Sequence, residues 1–399
     1  MVNASANNNK YYRQIPCGNG EWIAEYGRVG GKPQRRKYSM SQWETKYYEK
    51  IKKGYIDQSY LAEDLIEEKE KKEDLKYKPI ENKNIADIVK KLRQMAKDVI
   101  DENYSIRSDK VTKAMVDEAQ VLINRLIRIE SVDCFNETLL ELFSVIPRKM
   151  KSVKDFLAKD TSDFAKIIKN EQDLLDVMDG QIFKKETKKA KQTEEKKSLS
   201  DKTILEQLGL IFEECDNKDI AVIRTALGNM SNSFSRAWKV TNLETQDKFD
   251  DFVKENKIKE TKLLFHGSRN ENWWSIINTG LVLRPTNAVI TGKMFGYGLY
   301  FAPKAEKSIG YTSLRGSYWA NGHSDVGYLA LISVAYGKPY DVYSFDNKYG
   351  SFNYEKLQKT CKGANSLHAH AGKMLRNDEI VVYNESQCTI KYLIEIKRN

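Results

Sequence analysis

Paired cysteines are absent from this sequence, and their absence argues against two common supports of small domains. The five cysteines stand far apart, at Cys17, Cys134, Cys215, Cys361 and Cys388. No CxxC pair occurs, and no cysteine lies at ligand spacing from a histidine. The pattern indicates neither a disulfide framework nor a zinc site, and it favours a reducing, intracellular setting.

Long apolar runs are also missing. No stretch approaches the ~20 consecutive apolar residues that a membrane-spanning helix needs, and the polar start at residues 1–5 lacks the apolar core of a signal peptide. With 40% apolar and 31% charged residues among 399, the composition is that of a charge-rich globular protein rather than a disordered one. We therefore expect a soluble chain of about two to four domains.

Positive charge is in excess and unevenly distributed. The formal net charge is +10 at pH 7, and residues 1–60 contain eleven basic side chains against five acidic ones. Residues 61–75 then turn acidic. Such an excess is typical either of a solvated, lysine-rich surface or of a protein that binds a polyanion. Its concentration near the N-terminus favours a polyanion-binding region there.

The first 80 residues have the pattern of short strands followed by a helix. Tyr11–Ile15 and Glu21–Gly27 are β-prone segments separated by a turn at residues 17–20. A helix is predicted over residues 42–53, and residues 61–80 form a charged connector.

Helical periodicity marks residues 84–182. Apolar residues recur on one face at 4-3-4-3 spacing, at Met115, Ala119, Leu122, Leu126 and Ile129. A second such run ends before Pro147, and a third ends near Gly180. Nothing in this region has the pattern of a chemical site. We therefore interpret it as a helical bundle, followed by a lysine-rich linker at 184–202.

The chain changes character from residue 203 onward. Short apolar β-type runs alternate with Gly, Asn and Pro turns, at 262–265, 298–301, 328–335, 379–383 and 389–396. This pattern predicts an α+β domain dominated by antiparallel strands.

Three of these strand-like runs carry a polar side chain at or beside one end. His266 follows the first run, Tyr300 lies in the second, and Glu379 opens the fourth. Each residue taken alone is more often structural than functional. Gly296-Tyr297-Gly298 has the pattern of half a dinucleotide fingerprint, but it lacks the third glycine and the βαβ setting of a Rossmann fold.

Together with their flanks, the three residues resemble the catalytic domain of the poly(ADP-ribose) polymerases, which are NAD-using ADP-ribosyltransferases. Four runs carry the resemblance: Leu264 to Arg269, Thr291 to Ala302, Lys307 to Tyr311, and Glu379 to Tyr383. Motifs of this length rarely agree by chance at four places. In that family the His-Tyr-Glu set is associated with chain elongation, whereas members without the carboxylate generally add one unit.

The resemblance implies a catalytic set of His266, Tyr300 and Glu379, with NAD+ as the substrate and no metal. The implied NAD-binding residues are His266, Gly267, Ser268, Asn272, Tyr300, Phe301, Ala302, Lys307, Ser308 and Tyr311. Gly267 and Ser308 are expected to hold the nicotinamide amide, and Tyr311 to stack on its ring. Glu379 is expected to bond the nicotinamide ribose, stabilise the oxocarbenium-like transition state and polarise the acceptor hydroxyl.

The resemblance extends upstream and implies an α+β multidomain fold. Residues 1–75 are similar to a WGR DNA-binding domain with a small antiparallel sheet, and residues 84–183 to the family's all-α regulatory helical domain. After the linker at 184–202, residues 203–399 form the α+β ADP-ribosyltransferase catalytic domain. The implied DNA-binding residues are Tyr26, which replaces the WGR tryptophan, with Gly27 and Arg28.

One departure concerns the adenine side of the NAD+ site. Where the family often has arginine after Gly-Leu, this chain has Val282, and Arg284 two residues later is the candidate substitute. Zinc fingers and a BRCT-like segment are not recognisable in the sequence. Recognition of damaged DNA would therefore depend on the WGR domain alone.

The function implied by the resemblance is DNA-break-stimulated poly(ADP-ribosyl)ation of proteins, including the chain itself, in the DNA damage response. Two alternatives remain open: a mono-ADP-ribosyltransferase acting on protein or DNA ends, and a DNA-binding scaffold with an idle transferase fold. An accessory factor that completes the acceptor site is also compatible with the sequence. The expected location is intracellular and DNA-associated, in the cytoplasm or nucleoid of a bacterium or the nucleus of a eukaryote.

Overall fold

The computed structural model describes residues 1–59, 77–105, 111–181, 201–283, 294–373 and 375–398. Most of the predicted linker and Arg284 lie outside these residues. The chain forms two compact units, Met1–Glu73 with Lys97–Ile182, and Asp74–Ala96 with Phe183–Asn399. The domain boundaries predicted from the sequence stay predictions.

An antiparallel sheet in the order β1-β2-β3-β4 opens the first unit. Its strands are β1 (Val2–Asn3), β2 (Asn8–Gly18), β3 (Glu21–Arg28) and β4 (Gln34–Ser39), and helix α1 (Trp43–Lys52) follows them. Trp22 is fully buried and stacks on Tyr38, with 4.8 Å between the ring centroids. The two predicted strands and the helix are confirmed. Strand β4 was not predicted because its sequence is nearly all polar.

Four helices continue the fold: α2 (Lys83–Asn103), α3 (Lys113–Leu126), α4 (Val132–Val145) and α5 (Phe164–Asp179). The buried face of α3 contains Met115, Ala119, Leu122 and Leu126, as the periodicity predicts. The Thr112 side chain caps this helix by accepting from the Met115 backbone N–H. Helix α3 ends at Leu126, so Ile129 lies beyond it. Among the described residues, no helix is both long and apolar enough to cross a bilayer.

A buried ion pair lies among these helices. The Arg148 Nη1 atom donates to Glu171 Oε2 at 2.6 Å, and both side chains are less than a tenth exposed. Burial raises the pKa of Glu171, and Arg148 opposes that shift. The Tyr104 ring lies against the same guanidinium. Each of these two buried charges is therefore stabilised by the other.

We expect Arg148→Met to lower the free energy of unfolding of the first unit by about 3–5 kcal/mol, because it leaves an unpaired buried carboxylate. The double variant Arg148→Met/Glu171→Leu removes both charges and should recover most of that loss. Urea titrations of the three proteins measure the difference. If single and double variants are equally destabilised, the ion pair is not the source of the cost.

The second unit contains two sheets, in the orders β5-β6-β13-β9-β7 and β10-β11-β12-β8. Their strands are β5 (Leu210–Glu214), β6 (Phe234–Asn242), β7 (Lys262–Gly267), β8 (Leu299–Phe301), β9 (Val326–Val334), β10 (Pro339–Val342), β11 (Ser366–Ala369), β12 (Glu379–Val382) and β13 (Cys388–Lys397). Only the β10–β11 pair among these described strands is parallel. The predicted α+β class with mainly antiparallel strands is confirmed.

Short helices surround these sheets: α6 (Ile204–Leu208), α7 (Asn217–Leu227), α8 (Leu243–Glu255), α9 (Trp273–Thr279), α10 (Ala305–Ile309) and α11 (Tyr354–Thr360). The central strands β9 and β13 are buried on both faces, with Leu329, Leu331, Leu393 and Ile394 fully inaccessible. That double burial explains the near-continuous apolar sequence of β9, whereas β13 also contains the buried Glu395, which pairs with Arg236. In these strand orders β7 and β8 are edge strands, and they contain His266 and Tyr300.

Candidate active site

The two sheets of the second unit are joined where their edge strands β7 and β8 meet. Phe265 N–H donates to the Ala302 carbonyl at 2.8 Å, and Ala302 N–H donates to the Phe265 carbonyl at 3.0 Å. Strand β12 pairs with β8, with Val381 opposite Tyr300. His266, Tyr300 and Glu379, more than 100 residues apart at the extremes, therefore lie on neighbouring strand ends.

His266 is held in one tautomer by the backbone. Its Nδ1 atom lies 3.1 Å from the Tyr300 carbonyl oxygen. Since a carbonyl can only accept, Nδ1 carries the proton and Nε2 is left as an acceptor. Burial lowers the pKa of His266, and the hydrogen bond to Tyr300 partly opposes that shift. At neutral pH this side chain is an uncharged acceptor, suited to a ribose hydroxyl.

Tyr300 is fixed as a neutral phenol. Its hydroxyl accepts from the Phe295 N–H at 3.0 Å and donates to the Gly296 carbonyl at 2.9 Å. Burial, together with the nearby Glu379 carboxylate, raises the pKa of Tyr300 far above its ordinary value. With its hydroxyl fully engaged, Tyr300 offers its ring as a wall rather than a proton acceptor.

Glu379 is a buried carboxylate with one oxygen engaged and one not. Its Oε1 atom contacts the Lys307 ammonium, while Oε2 is buried and has no hydrogen-bond partner among the described residues. Burial raises the pKa of Glu379, and Lys307 opposes the shift. An unpartnered buried carboxylate oxygen is costly, so its retention indicates a ligand group that completes it.

Gly267 and Ser308 approach more closely than any side chain would allow. A Cβ atom on Gly267 would lie 1.9 Å from the Ser308 carbonyl oxygen. Ser308 and Lys307 both belong to α10, and Ser308 is buried. This contact explains in physical terms why glycine follows His266. Beside it, Asn272 Nδ2 donates to Ser268 Oγ at 3.0 Å.

The structure adds one aromatic residue to the predicted site. Trp319 stacks on Tyr311, with ring centroids 6.2 Å apart and an interplanar angle of 15°. The Trp319 side chain is about half exposed, and burial raises the pKa of Tyr311 to about 12. Trp319 was missed because it lies in a turn-rich loop with no strand pattern. The adjacent aromatic pair Tyr318-Trp319 in that loop was the available signal.

The predicted site residues of the catalytic part are thus brought together. Contacts connect His266 with Tyr300, Gly267 with Ser308, and Lys307 with Glu379. Phe301 and Ala302 continue β8 beside them. Val282 lies in the described part of the chain, whereas Arg284 does not, so the adenine-side substitution stays a prediction.

The three predicted DNA-binding residues lie together in the first unit. Tyr26 stacks loosely on Tyr12, with 6.1 Å between ring centroids. The Arg28 guanidinium donates to backbone carbonyls of Asn7 and Lys151, at 2.8 Å each. Arg28 therefore joins the sheet to the segment after α4 in this structure, and its contact with DNA stays a prediction.

A neutral histidine acceptor, a neutral phenol wall and a buried carboxylate form a set suited to glycosyl transfer. The carboxylate is placed to stabilise positive charge, as an oxocarbenium-like transition state requires. Because Glu379 must be ionised for this role, activity is lost as the pH falls through its raised pKa. The protonation of His266, whose pKa is lowered, contributes at more acidic pH.

We expect Lys307→Met to move the acid limb of the kcat/KM profile to higher pH, because the variant removes the charge that lowers the pKa of Glu379. Steady-state rates of NAD+ consumption between about pH 5 and 9 measure the shift. Lys304→Met, which changes an exposed lysine just before the same helix, is the matched control. An unshifted acid limb in Lys307→Met would contradict this electrostatic assignment.

These features define an NAD+ ADP-ribosyltransferase, and comparison with known proteins gives its family. Residues 217–398 match the family described as the poly(ADP-ribose) polymerase catalytic domain. The chain is 32% identical over 191 residues to a poly(ADP-ribose) polymerase-like protein, 100L, of Invertebrate iridescent virus 6, which covers 47% of this chain and 98% of the viral protein. The chain belongs to the poly(ADP-ribose) polymerase family, and NAD+ is its substrate.

Two cellular relatives are also similar to part of this chain. Poly(ADP-ribose) polymerase 2 of Arabidopsis thaliana is 33% identical over 174 residues, and that of Homo sapiens is 31% identical over 160 residues. The matches cover 38% and 34% of this chain, and 26% of each relative. The family match covers residues 217–398, so the sequence likenesses of residues 1–183 stay predictions.

Proposed function

We propose that this chain is a poly(ADP-ribosyl)transferase that modifies proteins, including itself, and is stimulated by DNA breaks. The observation that carries the elongation part is the Glu379 Oε2 atom, buried and without a hydrogen-bond partner among the described residues. A ribose hydroxyl donates the bond that this atom lacks. The names of the viral, plant and human relatives, all poly(ADP-ribose) polymerases or like them, support the same assignment.

In the proposed reaction, the bond between the nicotinamide nitrogen and the ribose anomeric carbon breaks. Its electron pair leaves with nicotinamide and neutralises the pyridinium charge. An acceptor hydroxyl oxygen bonds to the anomeric carbon, and its proton passes to solvent by way of the Glu379 carboxylate. Elongation needs that acceptor to be a ribose hydroxyl of ADP-ribose already attached.

Automodification with labelled NAD+ tests the elongation proposal. On a denaturing gel, polymer gives a ladder or smear above the protein, whereas single additions give one band or a small set of sharp bands. Sharp bands alone at saturating NAD+ would show that the chain is a mono-ADP-ribosyltransferase. If no labelled product forms, the alternative of a DNA-binding scaffold with an idle transferase fold is supported.

The DNA part of the proposal depends on the first unit. Arg13 on β2 and Arg35 on β4 both pair with Glu25 on the strand between them, yet 63% and 66% of their side chains are exposed. Lys37, two residues after Arg35, extends the positive charge along the same face of β4. These side chains form a basic strip that fits phosphate groups. Such a ligand implies an intracellular, DNA-associated place of action.

The contacts inside the first unit offer a route for regulation. Asn9 Nδ2 donates to the Arg148 carbonyl at 2.9 Å, and the Val153 N–H donates to Asn7 Oδ1 at 2.9 Å. The sheet and the helical segment are therefore hydrogen-bonded to each other. In the proposal, DNA bound to the sheet makes the helical segment less ordered, and NAD+ then reaches its site more readily.

We expect nicked or blunt-ended DNA to raise the rate of NAD+ consumption at least several-fold, with a steep decrease of DNA affinity as salt rises. Arg13→Gln/Lys37→Gln, two changes on the face that carries the strip, should weaken DNA binding and flatten the salt slope by about two, since each phosphate contact contributes about one. Lys254→Gln/Lys259→Gln, an exposed pair in the second unit, is the matched control. Equal NAD+ consumption with and without DNA would exclude the regulatory half of the proposal.

A further inference from the structure

Half of the chain's histidines lie at one edge of the second sheet. The sequence has four histidines in total, and His368 and His370 are two of them. They alternate along β11 and its extension, so both side chains lie on the same face. Strand β10 runs parallel beside them, with Asp341 opposite His368. The His370 N–H donates to the Val342 carbonyl at 2.9 Å and prolongs this ladder.

The three side chains converge on one point. One ligand atom from each of Asp341, His368 and His370 lies within 4.8 Å of the others. Asp341 Oδ1 is 2.7 Å from His370 Nε2 and 4.0 Å from His368 Nδ1. In a tetrahedral zinc site with bonds of about 2.0–2.1 Å, neighbouring ligand atoms are separated by about 3.3 Å. The observed distances lie on either side of that value, so small side-chain rotations suffice.

A second carboxylate orients the histidine that faces this point. His368 Nε2 lies 3.0 Å from Asp378 Oδ2, and Asp378 Oδ1 accepts from the Ala371 N–H at 2.7 Å. Nε2 therefore carries the proton, and the Nδ1 lone pair is an acceptor that receives the Tyr336 hydroxyl at 2.9 Å, with Asp341 Oδ1 at 4.0 Å. A carboxylate that receives the outer N–H of a ligating imidazole is the usual support of a metal-bound histidine. The Tyr336 hydroxyl, 2.9 Å from Nδ1, is a further oxygen at the point of convergence.

We propose that Asp341, His368 and His370 bind one divalent ion of the zinc class. Two imidazoles and one carboxylate suit zinc and the neighbouring first-row ions, whereas magnesium and calcium prefer oxygen ligands alone. This assignment goes beyond the proposed transferase function and differs from the expectation of no metal, because its ligands are two histidines and an aspartate rather than cysteines.

Such an ion would tie together the strands behind the catalytic carboxylate. It would bridge β10 and β11, and β11 pairs with β12 through Ala369 and Glu379. Asp378, the orienting carboxylate, directly precedes Glu379. The expected role of the ion is therefore structural, at the start of the strand that contains Glu379.

Zinc titration of the full chain, freed of any affinity tag and stripped with a chelator, tests the proposal. Calorimetry should show one bound Zn²⁺ per chain, unaffected by excess Mg²⁺. His368→Gln/His370→Gln should abolish this binding, and Asp378→Asn should weaken it about 10–100-fold. His323→Gln, which changes an exposed histidine away from the cluster, should bind as the natural chain does.

Circular dichroism and thermal unfolding without metal establish that each variant is folded. If the double variant does not fold, Asp341→Asn replaces it. Asp341 is exposed, and the substitution removes one charged ligand without a change of size. Absence of stoichiometric zinc binding by the natural chain overturns the proposal, since the side chains then form only a hydrogen-bonded network. Zinc binding that survives loss of the histidines also overturns it, because the ion is then held elsewhere, for example by cysteines.

Discussion

A Glu379→Gln variant should lose polymer synthesis by about a hundredfold to a thousandfold while it still binds NAD+. The amide is nearly the same size but carries no negative charge. It can therefore neither stabilise the developing positive charge nor receive the acceptor proton. Because burial and Lys307 already determine the protonation of this group, the substitution removes the charge from a site built around it. Denaturing gels of automodified protein and calorimetric titration with NAD+ measure the two effects separately.

Glu306→Gln is the matched control for that variant. Glu306 lies directly before Lys307 on α10, is exposed, and undergoes the same chemical change. It should keep polymer synthesis near that of the natural chain. Long polymer made by Glu379→Gln would show that another group supplies the charge. Loss of NAD+ binding with the loss of polymer would place Glu379 in binding rather than in chemistry.

Gly267→Ala is expected to lower kcat/KM by about a hundredfold, which is the effect of a displacement of about 1 Å in an active site. The new methyl group would lie 1.9 Å from the Ser308 carbonyl oxygen. That oxygen belongs to the backbone of α10, so it cannot rotate away as the end of a side chain could. Either β7 or α10 must move, and the movement separates His266 from the residues of α10. The loss should appear mainly as weaker NAD+ binding.

Gly350→Ala controls for the effect of a methyl group added to this unit. A Cβ at Gly350 would meet no atom within 4 Å. This variant should bind and consume NAD+ normally. Thermal unfolding of both variants distinguishes a local defect from global instability, since overpacking typically costs about 1–3 kcal/mol. Normal NAD+ affinity in folded Gly267→Ala would mean that the close approach to Ser308 does not shape the substrate site.

The two variants separate the roles that the site residues share. Glu379→Gln is expected to spare binding and remove chemistry, whereas Gly267→Ala is expected to damage binding first. A common loss of both functions in both variants would indicate that the site collapses as a unit. The proposed division into a binding half and a chemical half would then be wrong.

The secondary structure of this chain was predictable where its periodicity was strong. Helix α3 buries the apolar face that its spacing predicts, and β9 and β13 are the apolar runs of the catalytic part. Polar strands were not predictable in the same way. Strand β4 owes its position to pairing with β3, which buries Trp22 and Ala24, and not to any alternation of its own.

The same limit applies to the sites. His266, Tyr300 and Glu379 were identifiable because their motifs are long and local. Trp319 and the cluster of Asp341, His368 and His370 have no such motif around them. The partners in each case come from separate segments, so only the folded chain makes them neighbours.

The sequence by itself determined the strongly periodic helices and apolar strands, the α+β class of the catalytic part and the chemical types of the three central side chains. These follow from local periodicity and from motifs that are contiguous in the chain. Only the tertiary structure decided the state of each group: which tautomer His266 adopts, that the Tyr300 hydroxyl is fully bonded, and that one oxygen of Glu379 has no bond within the described residues. Those states depend on burial and on partners distant in sequence, since it is the surroundings of a group that determine its protonation and hydrogen bonding.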